Sequence, residues 1–275
     1  MTLGWLHRLH RLKTALRWTR ASYTLLGGFF LTIFLLGYVW WPLAEEYLSY
    51  IDWNGPWWRY LDWLLLGIFF VMTLLIMAGA DLRSDWKIVF IGLAGGLAIE
   101  GWGTQTWLWT YYTFERPPLW IIPAWPIASL SIDRLVRLLS LALPSLKRPV
   151  ERLLYWLVFG IFFVLMIVFV WPTLDKSLTI ASLCLVIYLI LTPTDYRLAL
   201  ITFLAGSALG YFLELWGTTR QCWTYYTMQT PPFFAVLAHG MAAVAFWRSL
   251  LILERVLAWL RSLSKSAAKD AVPGD

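Results

Sequence analysis

Long apolar runs separated by short polar or proline-rich breaks dominate this chain. Eight such runs, of 16 to 21 residues, lie at 21–41, 61–80, 86–103, 118–138, 153–171, 177–192, 197–216 and 232–252. At about 1.5 Å rise per residue, a helix of about 20 residues crosses the roughly 30 Å hydrocarbon core of a bilayer. Only helices and closed barrels satisfy their backbone in lipid, and these runs lack the strict alternation of a barrel strand. The pattern predicts an all-α polytopic membrane protein with eight transmembrane helices.

Comparing the pattern with itself exposes a duplication. Glu100, Trp102, Gly103, Thr104, Trp109, Thr110, Tyr111, Tyr112, Thr113, Pro117 and Pro118 recur 114 positions later. Their counterparts are Glu214, Trp216, Gly217, Thr218, Trp223, Thr224, Tyr225, Tyr226, Thr227, Pro231 and Pro232, eleven identities in nineteen positions. The same register joins Asp81 and Arg83 to Asp195 and Arg197, and Arg134 to Arg248. Trp41-Pro42 matches Trp171-Pro172 at a spacing of 130, so the first copy carries sixteen extra residues, 45–60. Each copy holds four runs, which predicts two parallel four-helix repeats related by an axis along the membrane normal. The division is then a basic amphipathic arm at 1–20, a first repeat at 21–143, a connector at 144–152, a second repeat at 153–260 and a polar tail at 261–275.

Composition agrees: 60% of the 275 residues are hydrophobic and 14% are charged. A soluble domain of this size could not cover that much apolar surface. The net charge of +6 follows from topology and not from nucleic acid. Of 22 Lys and Arg, only Arg59, Arg116, Lys176 and Arg220 fall outside, leaving 18 inside, when the N-terminus is placed in the cytoplasm. Positive charge accumulates on the cytoplasmic side, so both termini are expected there, in a bacterial inner or plasma membrane. No cleavable signal is expected, because the basic arm runs straight into a full-length span. Leu6, Leu9, Leu12 and Leu16 give that arm an apolar stripe suited to anionic lipid, or it serves only as a topology signal.

Candidate chemistry sits in the repeated signature. Gly92, Gly96 and Glu100 stand four apart, as do Gly206, Gly210 and Glu214, so each carboxyl lies beside a small-residue packing face. If the third and seventh helices pack on each other, the two glutamates converge on one site. If each glycine face packs within its own repeat, there are two. Gly103 and Gly217 are expected helix stops, which puts each glutamate in a last helical turn. The helix dipole, apolar surroundings and a second carboxylate there favour the neutral acid that general acid catalysis needs. A structural glutamate bonded to loop Thr and Tyr groups is the alternative. Trp102, Trp107, Trp109, Tyr111, Tyr112, Trp216, Trp223, Tyr225 and Tyr226 form either an interfacial belt or a π-rich wall able to shelter a carbocation.

The copies differ where it matters. His239 replaces Trp125, Arg220 replaces Thr106 and Trp247 replaces Asp133. His239 is a proton partner for a glutamate, a cofactor ligand, or a packed polar residue bonded to a neighbouring helix. Ser207 with His239 could be read as a serine protease pair, but Ser207 lies inside the glycine face. Asp133 and Arg137 are spaced for a structural helix ion pair. Pro117-Pro118 and Pro231-Pro232 mark the start of the next helix, and Pro123 and Pro126 are expected to kink the fourth. Cys184 and Cys222 are not expected to pair, and no motif calls for a metal, nucleotide or other cofactor.

A glutamate near a helix end, then Gly-x-x-Thr, a Tyr-Tyr-Thr cluster and downstream prolines resembles membrane carotenoid-biosynthesis proteins of the bisanhydrobacterioruberin hydratase type. Glu100, Gly103, Thr106, Tyr111, Tyr112, Thr113, Pro118, Pro123 and Pro126 carry the resemblance. Leu108-Trp109-Thr110 stands where that family has a Pro-Phe-Gly turn, and the second copy matches less fully. The resemblance implies water addition to the end double bond of a long polyene. Glu100, Glu214 and His239 are then the candidate acid–base groups, the aromatic residues and Arg220 the substrate wall, and the partners a membrane lipid or polyene and the bilayer itself. A lipid- or pigment-binding subunit of a larger membrane complex is the main rival, with a transporter behind it; a homo-oligomer is compatible with each.

The charge split generates a topology prediction. Loops near Asp81, Lys147 and Asp195 should report as cytoplasmic, and those near Asp52, Trp109, Asp175 and Trp223 as external. Active alkaline phosphatase fused after Lys147 would overturn that assignment.

Overall fold

A computed structural model describes residues 17–270, with side chains to Leu263. Most of the expected amphipathic arm, including His7 and His10, lies outside the described residues. The fold is all-helical. Its elements are α1 (Arg20–Val39), α2 (Trp41–Ser49), α3 (Trp63–Met77), α4 (Leu82–Gln105), β1 (Trp109–Tyr111), α5 (Ala124–Ala142), α6 (Arg148–Val170), α7 (Ser177–Leu191), α8 (Tyr196–Thr219), β2 (Trp223–Tyr225) and α9 (Phe233–Asp270).

Five segments are long and apolar enough to cross a membrane: Arg20–Val39, Leu119–Ala142, Arg148–Thr173, Tyr196–Thr219 and Phe233–Leu263. The apolar helices α3 and α7 have 15 residues each, about 22 Å, shorter than a bilayer core. Helix α4 has the length but carries Arg83, Asp85, Lys87 and Glu100. Each of the eight apolar runs nonetheless forms a helix. The sixteen-residue insertion lies across the end of α2, a turn of 3-10 helix at Trp57–Tyr60 and the stretch between them.

Helix starts follow from side-chain caps. Asp62, Asp81 and Asp195 precede α3, α4 and α8 and accept from the backbone N–H of Leu65, Arg83 and Leu198 at 3.1, 3.0 and 2.8 Å. Pro149 sits in the first turn of α6, where its missing N–H costs nothing. The expected kink at Pro123 and Pro126 does not occur: Pro123 is the residue before α5 and Pro126 is in its first turn, so both initiate the helix. The Pro117-Pro118 pair leads into a 3-10 turn at Leu119–Ile121, and α5 begins only at Ala124. At the other end of the chain α9 continues to Asp270, through most of the segment 261–275 expected to be a polar tail. Ala and Lys are good helix formers, and no Gly or Pro interrupts them before Pro273.

Helices α4, α5, α8 and α9 pack together at the centre, with α1 and α3 on one flank and α6 and α7 on the other. The packing crosses between the copies: α5 lies on α8 and α4 on α9. Both glycine faces meet the next helix of their own copy. A methyl group at Gly92 would overlap the Pro126 backbone and one at Gly96 the Trp125 ring. At Gly206 and Gly210 it would overlap His239, with Gly240 and Ala243 also close to Gly206. Close backbone approach is therefore what these glycines provide.

The matched arginines hold helix ends. Arg134 Nε donates to the Ala78 carbonyl at 3.0 Å and Arg248 to the Thr192 carbonyl at 2.6 Å, at the C-caps of α3 and α7. Each satisfies a carbonyl that its helix leaves without an N–H partner and sits at the negative end of the helix dipole. Arg134 also pairs with buried Asp85 at 2.6 Å and with Asp133 at 2.5 Å. Asp133 and Arg137 form the expected ion pair at 2.8 Å.

The glycine contacts predict a stability hierarchy. Gly210→Leu must displace the His239 ring and should cost about 1–3 kcal/mol, lowering the thermal midpoint by several degrees. Leu93→Phe, on an exposed face, should leave it unchanged. Equal shifts for Gly210→Leu and Leu93→Phe would remove the packing role.

Candidate functional site

Each signature runs across the end of its helix, and the stop is not the glycine expected. Helices α4 and α8 run two residues past Gly103 and Gly217. They end in a paired turn: Leu108 N donates to Gly103 O at 2.9 Å and Trp107 N to Thr104 O at 3.3 Å, matched by Cys222 to Gly217 at 2.9 Å and Gln221 to Thr218 at 3.2 Å. Trp107 and Gln221 adopt the left-handed conformation this motif requires, at φ +64° and +56°. Gly103 and Gly217 serve another purpose. The indole rings of Trp109 and Trp223 lie against their α-carbons, in space that any side chain would fill. Glu100 and Glu214 therefore sit more than a turn from the helix end, where the dipole contributes less than expected.

Past the turn, the two strands pair antiparallel, with Thr110 opposite its own counterpart Thr224, Trp109 opposite Tyr225 and Tyr111 opposite Trp223. The flanking bonds are matched too: Tyr112 N donates to Cys222 O at 3.2 Å and Tyr226 N to Leu108 O at 3.1 Å. A local two-fold axis thus passes between the threonines.

Alternation along each strand turns Trp109 and Tyr111 inward, onto Glu100. Trp109 Nε1 donates to Glu100 Oε2 at 3.0 Å, and Tyr111 OH and Trp125 Nε1 donate to Oε1 at 2.9 and 3.1 Å. The second copy repeats this on Glu214. Trp223 Nε1 donates to Oε2 at 2.9 Å, Tyr225 OH to Oε1 at 2.8 Å, and His239 Nε2 shares Oε1 at 2.9 Å. Both carboxyls are buried at 3% exposure. Trp125 and His239 occupy equivalent positions and stack on each other, ring centroids 5.8 Å apart and 17° from parallel. An indole can only donate, whereas an imidazole can donate or accept. The second carboxyl alone has a nitrogen partner able to pass a proton.

Both glutamates line one cavity of about 300 Å³. Its position corrects the sequence argument: the glycine faces pack within their own copies, yet the carboxyls share a space. Convergence comes from the paired strands and crossed helices, which sequence spacing does not report. His239, Trp102, Trp109, Tyr111, Trp216, Trp223 and Tyr225 line the cavity with them. These aromatics form an interior wall, with Trp109, Tyr111, Trp216 and Tyr225 buried. His239 and Trp125 also border a second cavity of about 90 Å³, which reaches Ser129, Thr202 and Asp133.

Four expected site residues lie elsewhere. The Tyr112 hydroxyl bonds the Val39 carbonyl and Tyr226 the Phe169 carbonyl, tying each signature to the end of α1 or α6. Arg220 pairs with Asp62 at 3.0 Å, away from the cavity. Trp107 is exposed, with the Arg116 guanidinium 4.0 Å over its ring. Ser207 abuts Gly240 while His239 is engaged by Glu214, which leaves no serine–histidine pair. Cys184 is exposed and Cys222 buried, both free. Among the described residues no cluster of three or more His, Cys, Asp or Glu could hold a metal ion.

Sequence reasoning missed three contributors. Asp62 accepts from Trp216 Nε1 at 2.8 Å, and Thr179 Oγ1 from Trp102 Nε1 at 3.2 Å, so α8 docks on the start of α3 and α4 on α7, each in the other copy. Neither acceptor is duplicated: Lys176 stands at Asp62's position and Leu65 at Thr179's. Trp125 was visible only as the residue His239 replaces. No protein-family model, curated protein or solved structure matches the chain.

The two donor sets generate a prediction. A glutamine at Glu214 can turn its oxygen to Trp223 and its amide to Tyr225 and His239, both of which can accept. At Glu100 the same amide meets the indole N–H of Trp125, which cannot. Glu100→Gln should cost about 1–3 kcal/mol for the unpaired donor, and Glu214→Gln close to nothing, read as thermal midpoints in detergent. The reverse order would refute these hydrogen-bond assignments.

Proposed function

We propose that this chain is an eight-span membrane protein of two parallel four-helix repeats, with both termini cytoplasmic in a bacterial inner or plasma membrane. In this reading it adds water to, or cyclises, the end of a long isoprenoid or carotenoid-like lipid, in keeping with the hydratase resemblance. The observation that carries it is the Glu214–His239 pair, 2.9 Å apart in an aromatic-lined cavity. Transfer of the shared proton to the terminal carbon–carbon double bond would form a C–H bond and leave a tertiary carbocation. The indole and phenol rings would stabilise that charge through their π faces. A water oxygen then adds to the cation and returns a proton to the Glu214–His239 pair, so the net change is addition of H₂O. Glu100, held by three donors without a basic partner, would shape the cavity and oppose the cation's charge.

One observation favours the second reading, a non-enzymatic lipid- or pigment-binding subunit. Both carboxyls are occupied by their own strands, and so could serve only to anchor the aromatic wall.

The test is reconstituted protein with lycopene, whose ends are isopropylidene groups, in D₂O. A hydrated product carrying one carbon-bound deuterium should appear, and Glu214→Gln and His239→Gln should each lower its rate by about 10²–10⁴-fold at unchanged folded yield. Unchanged turnover in both variants would sink the acid–base role. Lycopene retained without product in the wild type would favour the binding reading.

A further inference from the structure

The cavity has two related flanks, and they are not alike. On one, α8 faces α3 beneath the Trp216–Asp62 bond; on the other, α4 faces α7 beneath the Trp102–Thr179 bond. Positions 114 apart allow the flanks to be compared directly. Where the first carries Phe212, Ile68 and Leu65, the second carries Ala98, Ser182 and Thr179. At each of these three positions the α4–α7 side has the smaller residue. The consequence is visible: Ala98 and Leu185 both line the cavity and are both exposed at the surface. On the other flank their counterparts Phe212 and Val71 are exposed but do not line the cavity, and Ile68, which does, is buried.

The surface around the gap is apolar. Leu93 and Leu97 on α4 and Leu178 and Tyr188 on α7 are exposed, and α7 has no charged residue along its length. A cavity of about 300 Å³ is also at the small end for a ligand site. It can take one end of a long lipid, and the remainder must leave through a side.

We propose that the gap between α4 and α7 is a lateral portal that admits a single polyisoprenoid or polyene chain from the bilayer, its end seated beside Glu214 and His239. The proposal rests on the lipid-binding reading of the cavity and is independent of whether hydration follows. The small Ala98 and Ser182 side chains and the uncharged length of α7 suit a hydrocarbon chain and not a charged headgroup. The Trp102–Thr179 bond closes the gap at its signature end.

The experiment uses the full chain in phosphatidylcholine nanodiscs with a geranylgeranyl probe carrying a diazirine at its isoprenoid end, photolysed and mapped by mass spectrometry. Wild-type protein should be labelled at cavity residues such as Ala124 and Ala238. Lipid-facing Leu31 and Phe34 supply an internal standard for probe in the bilayer. Ala98→Phe with Ser182→Ile, which imports the closed flank, should lower cavity labelling at least tenfold relative to that standard. Phe212→Ala should not reduce it. Should the double variant misfold, Ala98→Cys in a Cys184→Ser background can be blocked after reconstitution by a benzyl methanethiosulfonate. Labelling should fall on blocking and return with reductant. Cavity labelling that survives both closures would overturn the portal and leave the binding reading intact. Absence of wild-type cavity labelling would overturn both. Labelling that persists in Glu214→Gln while hydration is lost would uphold the portal and the acid role together.

Discussion

Saturation of two buried carboxyls by indole, phenol and imidazole partners is the constraint on which the rest of this structure depends. An unpaired carboxylate among apolar helices is expensive, and each of these is enclosed by three hydrogen bonds. Supplying those donors requires a strand that turns Trp and Tyr to the same side, two residues apart. That strand in turn requires a helix stop in the left-handed conformation and a glycine to seat the indole. Its outward edge would then leave backbone groups unpaired, and the identical strand of the other copy satisfies them. One electrostatic demand therefore propagates into the turn, the strand, the glycine and the contact between copies.

Duplication makes the differences between the copies informative. The backbone geometry of the two signatures agrees down to the helix stop, the tyrosine tie to a preceding helix and the arginine on a helix C-cap. Substitutions on that shared frame have separate consequences. His239 in place of Trp125 gives one carboxyl a partner able to exchange a proton. Ala98, Ser182 and Thr179 in place of Phe212, Ile68 and Leu65 thin one wall of the cavity. Arg220 finds Asp62, which only the first copy possesses. A symmetric scaffold thus carries an asymmetric interior.

Much of this was legible in the chain itself. Eight apolar runs located eight helices, because burial in lipid or core leaves a length signal that no loop shares, although α5 starts six residues into its run and α9 outlasts its run by eighteen. Asp81 and Asp195, paired by the repeat register, prove to cap α4 and α8, through chemistry that is local. The 114-residue offset identified the glutamates and aromatics as one recurring unit. His239 stood out by replacing a tryptophan within it. Periodicity also placed Gly96 and Gly210 on packing faces, since spacing by four reports which side of a helix a residue occupies.

Tertiary structure alone decided what each face meets. Nothing in Gly-x-x-x-Gly distinguishes packing against the next helix from packing against the other copy, and the first was realised. Gly103 looked like a stop and is a seat for Trp109, because the need for space comes from a ring six residues later that only folding brings back. Tyr112 and Tyr226 share the signature's composition but point out of the site, since alternation on a three-residue strand depends on where the strand begins. Asp62 and Thr179 had no counterpart to reveal them, and their roles arise from helices that cross between copies. The sequence by itself determined where the eight apolar helices fall and which residues belong together by duplication, because those follow from local chemistry and identity. The shared cavity and its thin wall were decided by contacts between segments far apart in the chain, to which no local pattern responds.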